Sequence, residues 1–148
     1  MAFTNNKANA LQFVEEVLNK GNLDKIKNLI TPNIVWHGQY KEVKGLKSIK
    51  KWIALERSMF SDMQFNIVDN VAEHDKVAIR WKLQARHKKK HTHQKFQTMG
   101  ISIFHFEDDK IKEAWIVFDA LNPALQMGVI DVVPTEVQKV KKDMFPFE

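Results

Sequence analysis

The sequence predicts an α+β fold in which N-terminal helices pack against a strongly curved antiparallel sheet, forming a cone with an internal pocket. Apolar residues recur at helical spacing as far as about Phe60, and from Gln64 the period becomes two. Helices first and hairpins afterwards argue for α+β rather than an alternating α/β arrangement. A length of 148 residues fits one domain with a sizeable core. Residues 1–148 therefore read as a single domain, with its core over 4–130 and an amphipathic arm over 134–148.

The elements follow in order. Leu11, Val14, Val17 and Leu18 share one helical face over about Thr4–Lys20, with Thr4 or Asn5 as N-cap and Gly21 as terminator. A short second helix over Leu23–Ile30 turns Leu23, Ile26, Leu29 and Ile30 inward, and Pro32 stops it. Ile34–His37 is apolar with β-branched residues and reads as a strand ending at Gly38. Gly45 opens a third helix to about Phe60, with Leu46, Ile49, Ile53 and Phe60 inward and Trp52 and Met59 flanking them. Then Phe65, Ile67, Val71, Val77, Ile79, Trp81 and Leu83 alternate around a turn at His74-Asp75. Thr98, Ile101, Ile103, His105 and Glu107 lead into a turn at Asp108-Asp109. Ile111, Ala114, Trp115, Val117 and Asp119 follow it. The second half is a meander of about four long strands.

Composition narrows the function. The chain has no cysteine, which excludes disulfides and thiolate metal sites. The N-terminus lacks the basic and apolar regions of a signal peptide, and no apolar run reaches the roughly 20 residues that span a bilayer. A soluble cytoplasmic protein without a membrane partner is expected. The net charge of +5 is spread over the helices, the segment Arg86–Lys95, and Lys139, Lys141 and Lys142, as on a solvated surface. RNA-binding modules expose aromatics beside their basic residues. Only Phe96 lies close here, so nucleic acid is not the expected partner.

Asp119 is the first candidate for chemistry. It ends the strand Ile116–Phe118, beside Trp115 and Leu121. A carboxylate in an apolar wall resists ionisation, so its pKa should rise, and a base poised near neutrality can take a proton from beside a carbonyl. The plainer alternative is that Asp119 caps the turn before Asn122-Pro123 or pairs with a lysine. His105 shares a strand face with Ile101 and Ile103. If that face lines the cavity, His105 can hydrogen-bond Asp119 across the hairpin; otherwise it is an ordinary core or surface histidine. His37, directly after Trp36, either contacts a ligand or bonds backbone at the strand end. Trp36, Met59, Phe60, Trp81 and Trp115 are candidate cavity walls, a role that overlaps with plain core in a hollow cone. His87, His91 and His93 suggest a metal. Their segment holds no carboxylate, however, and Lys88, Lys89 and Lys90 repel a cation, so no metal is expected.

Several stretches resemble a known family. Gly21-Asn22-Leu23-Asp24, Thr31-Pro32-Asn33 leading to Trp36-His37, and Lys44-Gly45 resemble the helical half of SnoaL-like proteins. These are polyketide cyclase-like members of the nuclear-transport-factor-2-like fold. His74–Trp81 and Gly100–Trp115, continuing through Asp119 to Leu125-Gln126-Met127-Gly128, resemble the same family's meander and closing signature. The resemblance implies a homodimer formed through the open sheet face. It also implies a small hydrophobic ligand and ring closure by intramolecular aldol condensation, with no cofactor or metal. The family's catalytic aspartate matches Asp119, its assisting histidine His105, and the histidine at its pocket mouth His37. Two departures stand out: Arg86–Gln94 replaces a glycine-bearing loop, and Asp109 stands where glycine is usual. A basic rim of that kind favours an anionic ligand. The expected function is cofactor-free acid/base catalysis, of cyclase or isomerase type, on a small hydrophobic carbonyl compound. The alternative is a non-catalytic ligand-binding or dimerisation module.

Overall fold

Helix α1 (Asn6–Gln12) continues into a wider π-helical stretch, Phe13–Asn19, and the two together bury Ala10, Phe13, Val14 and Val17. The computed structural model describes residues 5–88 and 95–128. The predicted arm over 134–148, and His91 and His93, lie outside them. Gly21 closes the first helical unit at φ +74°, a left-handed conformation that glycine adopts without strain. The Arg57 guanidinium covers the same helix end, donating to the carbonyls of Leu18 and Asn19. A 3₁₀ turn at Leu23–Lys25 leads into α2 (Ile26–Leu29).

Pro32 does not end the second helix as expected. The chain is already extended at Ile30, and strand β1 runs over Ile30–His37 with Pro32 exposed inside it. The pairing of β1 with its neighbour shifts register between Ile30 and Val35, and a missing N–H is tolerated at such a break. A short strand β2 (Glu42–Lys44) pairs back on β1, and α3 (Leu46–Met59) follows from Gly45 at φ +86°. Four long strands complete the sheet: β3 (Phe60–Glu73), β4 (Lys76–His87), β5 (Lys95–Glu107) and β6 (Lys110–Phe118). Helix α4 (Leu121–Gln126) then lies beside the start of β5.

The spatial order is β2-β1-β6-β5-β4-β3. Every pairing is antiparallel except that of β1 with β6, which is parallel, so the sheet is mixed. The β5–β6 hairpin turns through Asp108 and Asp109 at φ +48° and +62°. Positive φ at both central residues is the tight turn that suits strand twist, and aspartate tolerates it. Asp109 therefore does the work of the glycine it replaces.

Alternation along β5 sorts the two sheet faces. Phe96, Thr98, Gly100, Ser102, Phe104 and Phe106 are buried, whereas Gln97, Met99, Ile101 and Ile103 are exposed between them. The buried phase meets α1 and α3. There Phe104 packs edge-on to Phe13 at 6.1 Å, and Trp36 lies 5.8 Å from Phe13 and 5.8 Å from Trp52. Fully burying a side chain such as Phe13 or Phe104 contributes about 1.5–3 kcal/mol. The other phase is unusually apolar for a solvent face, with Val71, Ile101 and Val117 all more than half exposed.

Candidate functional site

The structure divides the expected site residues between the two faces. Asp119 follows Phe118 where β6 ends, and its backbone N–H donates to the Met99 carbonyl at 3.0 Å. Its side chain caps α4. The Asn122 backbone N–H meets Oδ1 at 3.1 Å, and the Asn122 amide donates to Oδ2 at 2.5 Å. These bonds, the Asn122 backbone first, hold the Asp119 carboxyl below the usual carboxylate range. The expected rise is therefore corrected: stabilisation of the anion by donors outweighs burial. Asp119 lines an open groove of about 400 Å³ together with Asn66, Lys82, Gln97, Met99 and Gln126.

His105 does not reach Asp119. Met99 lies opposite Asp119, and His105 is six residues further along β5, about 20 Å away at the rise of an extended strand. The expected hydrogen bond across the hairpin is absent for that reason. His105 instead contacts Trp115, with ring centroids 4.6 Å apart. His37 stacks on the same indole at 5.0 Å and 16°. Its Nε2 lies 2.8 Å from Glu113 and its Nδ1 3.0 Å from Glu42. His37, His105 and Trp115 thus form one cluster on the outer face, away from the helices.

Trp36 and Trp81 belong to the inner face, each 5% exposed. Trp81 donates from Nε1 to the Ser102 hydroxyl at 3.0 Å and lies over Gly100. Trp36 Nε1 is buried and has no acceptor among the described residues. An unmatched indole N–H away from water is costly, and any acceptor oxygen would satisfy it. Met59 and Phe60 sit at the junction of α3 and β3, where Phe60 meets His87 and Phe96 edge-on at 5.3 and 5.4 Å.

Cover over the inner face is incomplete. Phe13, Ile34 and Phe104 are sealed, while Trp52, Phe65, Leu83, Ile116 and Phe118 pack on the core and stay partly exposed. Small inward residues on β5 (Thr98, Gly100 and Ser102) run through the middle of this region. Glu56 on α3 is half-buried, and that burial alone pushes its pKa up to about 7. The sequence carried a signal for it: Ile49, Ile53, Glu56 and Phe60 follow the 4-3-4 spacing of a single helical stripe. Reading only the apolar members of that stripe passes over Glu56.

Among the described residues no group of three or more histidines and carboxylates is placed to hold a metal. No described helix is long and apolar enough to cross a membrane.

The family model of SnoaL-like polyketide cyclases matches residues 8–127. Among solved structures, AclR from Streptomyces galilaeus, provisionally assigned as a hydroxylase, is 24% identical with a TM-score of 0.75. That match covers 94% of this chain and 95% of AclR. A SnoaL-like polyketide cyclase from Agrobacterium tumefaciens is 19% identical with a TM-score of 0.71, covering 83% and 98%. A Catenulispora acidiphila protein with a ketosteroid isomerase-like fold is 14% identical with a TM-score of 0.73, covering 84% and 96%. No curated protein matches the chain. The likeness to these structures extends to the shared fold of helices over a curved, open sheet.

Proposed function

We propose, for a chain that belongs to the SnoaL-like polyketide cyclase family, that it binds a small hydrophobic carbonyl compound on its inner face. There it moves a proton on that compound without a cofactor, as a cyclase or isomerase does. The observation that carries this reading is the incompletely covered aromatic wall of Trp52, Phe65 and Phe118. Thr98 and Ser102 on β5 add hydroxyl groups to that face. Aromatic walls with a few polar groups are the common make-up of small-ligand sites.

A second reading is favoured by the groove beside α4. There Asp119, held ionised by Asn122, is the base, and Lys82 supplies positive charge for an enolate. The two readings separate with 2-tetralone, a bicyclic ketone whose α-protons exchange with deuterated water. Phe118→Ala is expected to weaken its binding about tenfold, the effect of losing a large apolar contact. Asp119→Ala should leave binding similar. Loss of α-proton exchange in Asp119→Ala, with binding intact, would move the chemistry to the groove. Binding by wild type without any exchange would identify a ligand-binding module rather than an enzyme.

The proposal includes a homodimer across the outer sheet face. Ile101, Ile103 and Val117 form an exposed apolar row on it, flanked by Met99 and Val71. Val117→Lys is expected to convert a dimer into a monomer in light scattering. An unchanged mass would place the dimer elsewhere.

A further inference from the structure

We propose that the loop between β1 and β2, residues 38–41, is a cover over the Phe118 edge of the inner face, latched shut by the doubly protonated His37 ring. Its consequence for ligand entry rests on the inner-face reading given above; the latch itself does not.

The loop begins where β1 ends. The Gly38 backbone N–H donates to the Lys41 carbonyl at 3.0 Å, and a Cβ on Gly38 would meet that same oxygen at 2.8 Å. The turn closes this tightly because the residue is glycine. Beyond it Gln39 Oε1 accepts the Phe118 backbone N–H at 2.9 Å, and the Tyr40 ring stands edge-on to Phe118 at 6.4 Å. The Phe118 side chain belongs to the inner face, where it lies 6.4 Å from Trp81. The loop therefore rests against a wall residue of the site. Its anchorage is light. Tyr40 is 77% exposed, and β2 is a short edge strand paired to β1 alone. The β1–β6 join keeps one register only from Val35 to His37.

His37 stands at the root of this loop and ties three strands together. It pairs with Glu42 on β2 and Trp115 on β6. Its Nδ1 lies 3.0 Å from Glu42 and its Nε2 2.8 Å from Glu113. A carboxylate only accepts, so both contacts are hydrogen bonds only when both ring nitrogens carry protons. A neutral ring keeps one bond and turns a lone pair towards the other carboxylate. Histidine is the side chain whose charge ordinarily changes in the neutral range. The other charges around it are few. Lys44 lies 3.1 Å from the second Glu42 oxygen, His105 meets the cluster across the Trp115 ring at 4.6 Å, and the helices pack on the opposite face. Protonated His37 and Lys44 together match the two carboxylates. Loss of the proton leaves one negative charge in excess between β2 and β6. Glu42 is the more exposed carboxylate and sits on the edge strand, so it is the one free to withdraw, and the hairpin with its loop loosens.

The test follows backbone hydrogen exchange of Gly38 and Phe118 by NMR in the ligand-free full chain. It runs from about pH 5 to about pH 8, with the intrinsic rate at each pH divided out. In wild type, protection of both amides is expected to fall about fivefold, the effect of one charge-assisted hydrogen bond in a partly screened site. The midpoint should coincide with titration of the His37 ring protons. Glu113→Gln should flatten the fall, because an amide can donate to a bare ring nitrogen or accept from a protonated one. His105→Gln, which leaves the latch intact, should behave as wild type. 2-Tetralone is expected to associate faster at the upper pH in wild type and at one rate throughout in Glu113→Gln. Protection that stays constant with pH, or falls equally in Glu113→Gln, would overturn the latch and leave the inner-face reading standing. Protection that falls while association stays constant would overturn the loop as a cover. Failure of 2-tetralone to bind at any pH would overturn the inner-face reading, and the latch, measured without ligand, would stand.

Discussion

Replacing Gly100 with alanine is expected to destabilise the protein by about 3 kcal/mol, the upper range for overpacking a filled core. A Cβ at this position would meet two Trp81 ring carbons at 2.4 and 2.6 Å and the Val117 carbonyl oxygen at 2.7 Å. The backbone oxygen belongs to the adjoining strand of the sheet and cannot yield. The indole can move only by giving up the bond from its Nε1 to Ser102. Gly100 is thus glycine because Trp81 and β6 both approach the backbone of β5. Urea unfolding measures the loss. A change within about 0.5 kcal/mol, typical of an unconstrained surface site, would show that the ring is free to reposition.

Raising the pH through the neutral range is expected to lower stability, with Glu56 as the main cause. Its pKa is about 7 in the fold against 4.5 for the free group. Below about pH 4.5 the carboxyl is neutral in both states and contributes no penalty. Between the two values the folded protein binds more protons than the unfolded chain, so stability falls as pH rises. Above about pH 7 the full penalty applies, on the order of 3 kcal/mol. The opposite behaviour belongs to Glu16, Asp24, Glu42 and Asp119, whose folded pKa values are lowered by hydrogen-bonded partners. Their contribution is present above the ordinary carboxylate range and is lost only as the solution becomes more acidic. The two windows do not overlap, so stability should peak near pH 5. Glu56→Gln should be more stable than wild type at pH 8 and should lack the neutral-range decline. The same decline in the variant would assign it to another group.

The helices were legible because their apolar residues repeat at 3.6, and the hairpins because Asp-rich turns separate runs of period two. Pro32 misled because its missing N–H falls at a break in the β1–β6 ladder, a fact of tertiary pairing. The parallel join of β1 to β6 was hidden for the same reason. The deeper difficulty was phase. Both faces of β5 carry apolar residues, so alternation alone could not say which one faces the helices. Ile101 and Ile103 look like the inward set, yet the inward set is Thr98, Gly100 and Ser102, kept small beneath Trp81. That reversal put His105 on the outer face. Asp119 was read correctly as a strand-ending carboxylate, but α4 behind it supplies donors that a pattern of hydrophobicity does not reveal. Glu56 was visible as a charged member of an apolar stripe. Its raised pKa depends on burial without a donor among the described residues, which only the folded arrangement shows.

The function proposed for this protein turns on the binding of a carbonyl compound at the inner face. The most direct measurement follows the Trp52 and Phe118 ring protons by NMR during titration with 2-tetralone. Those protons, on rings left partly exposed on the inner face, are expected to shift as the ketone binds. Unmoved Trp52 and Phe118 signals, with the side-chain amides of Gln97 and Gln126 shifting instead, would place the ligand in the outer groove and contradict inner-face binding.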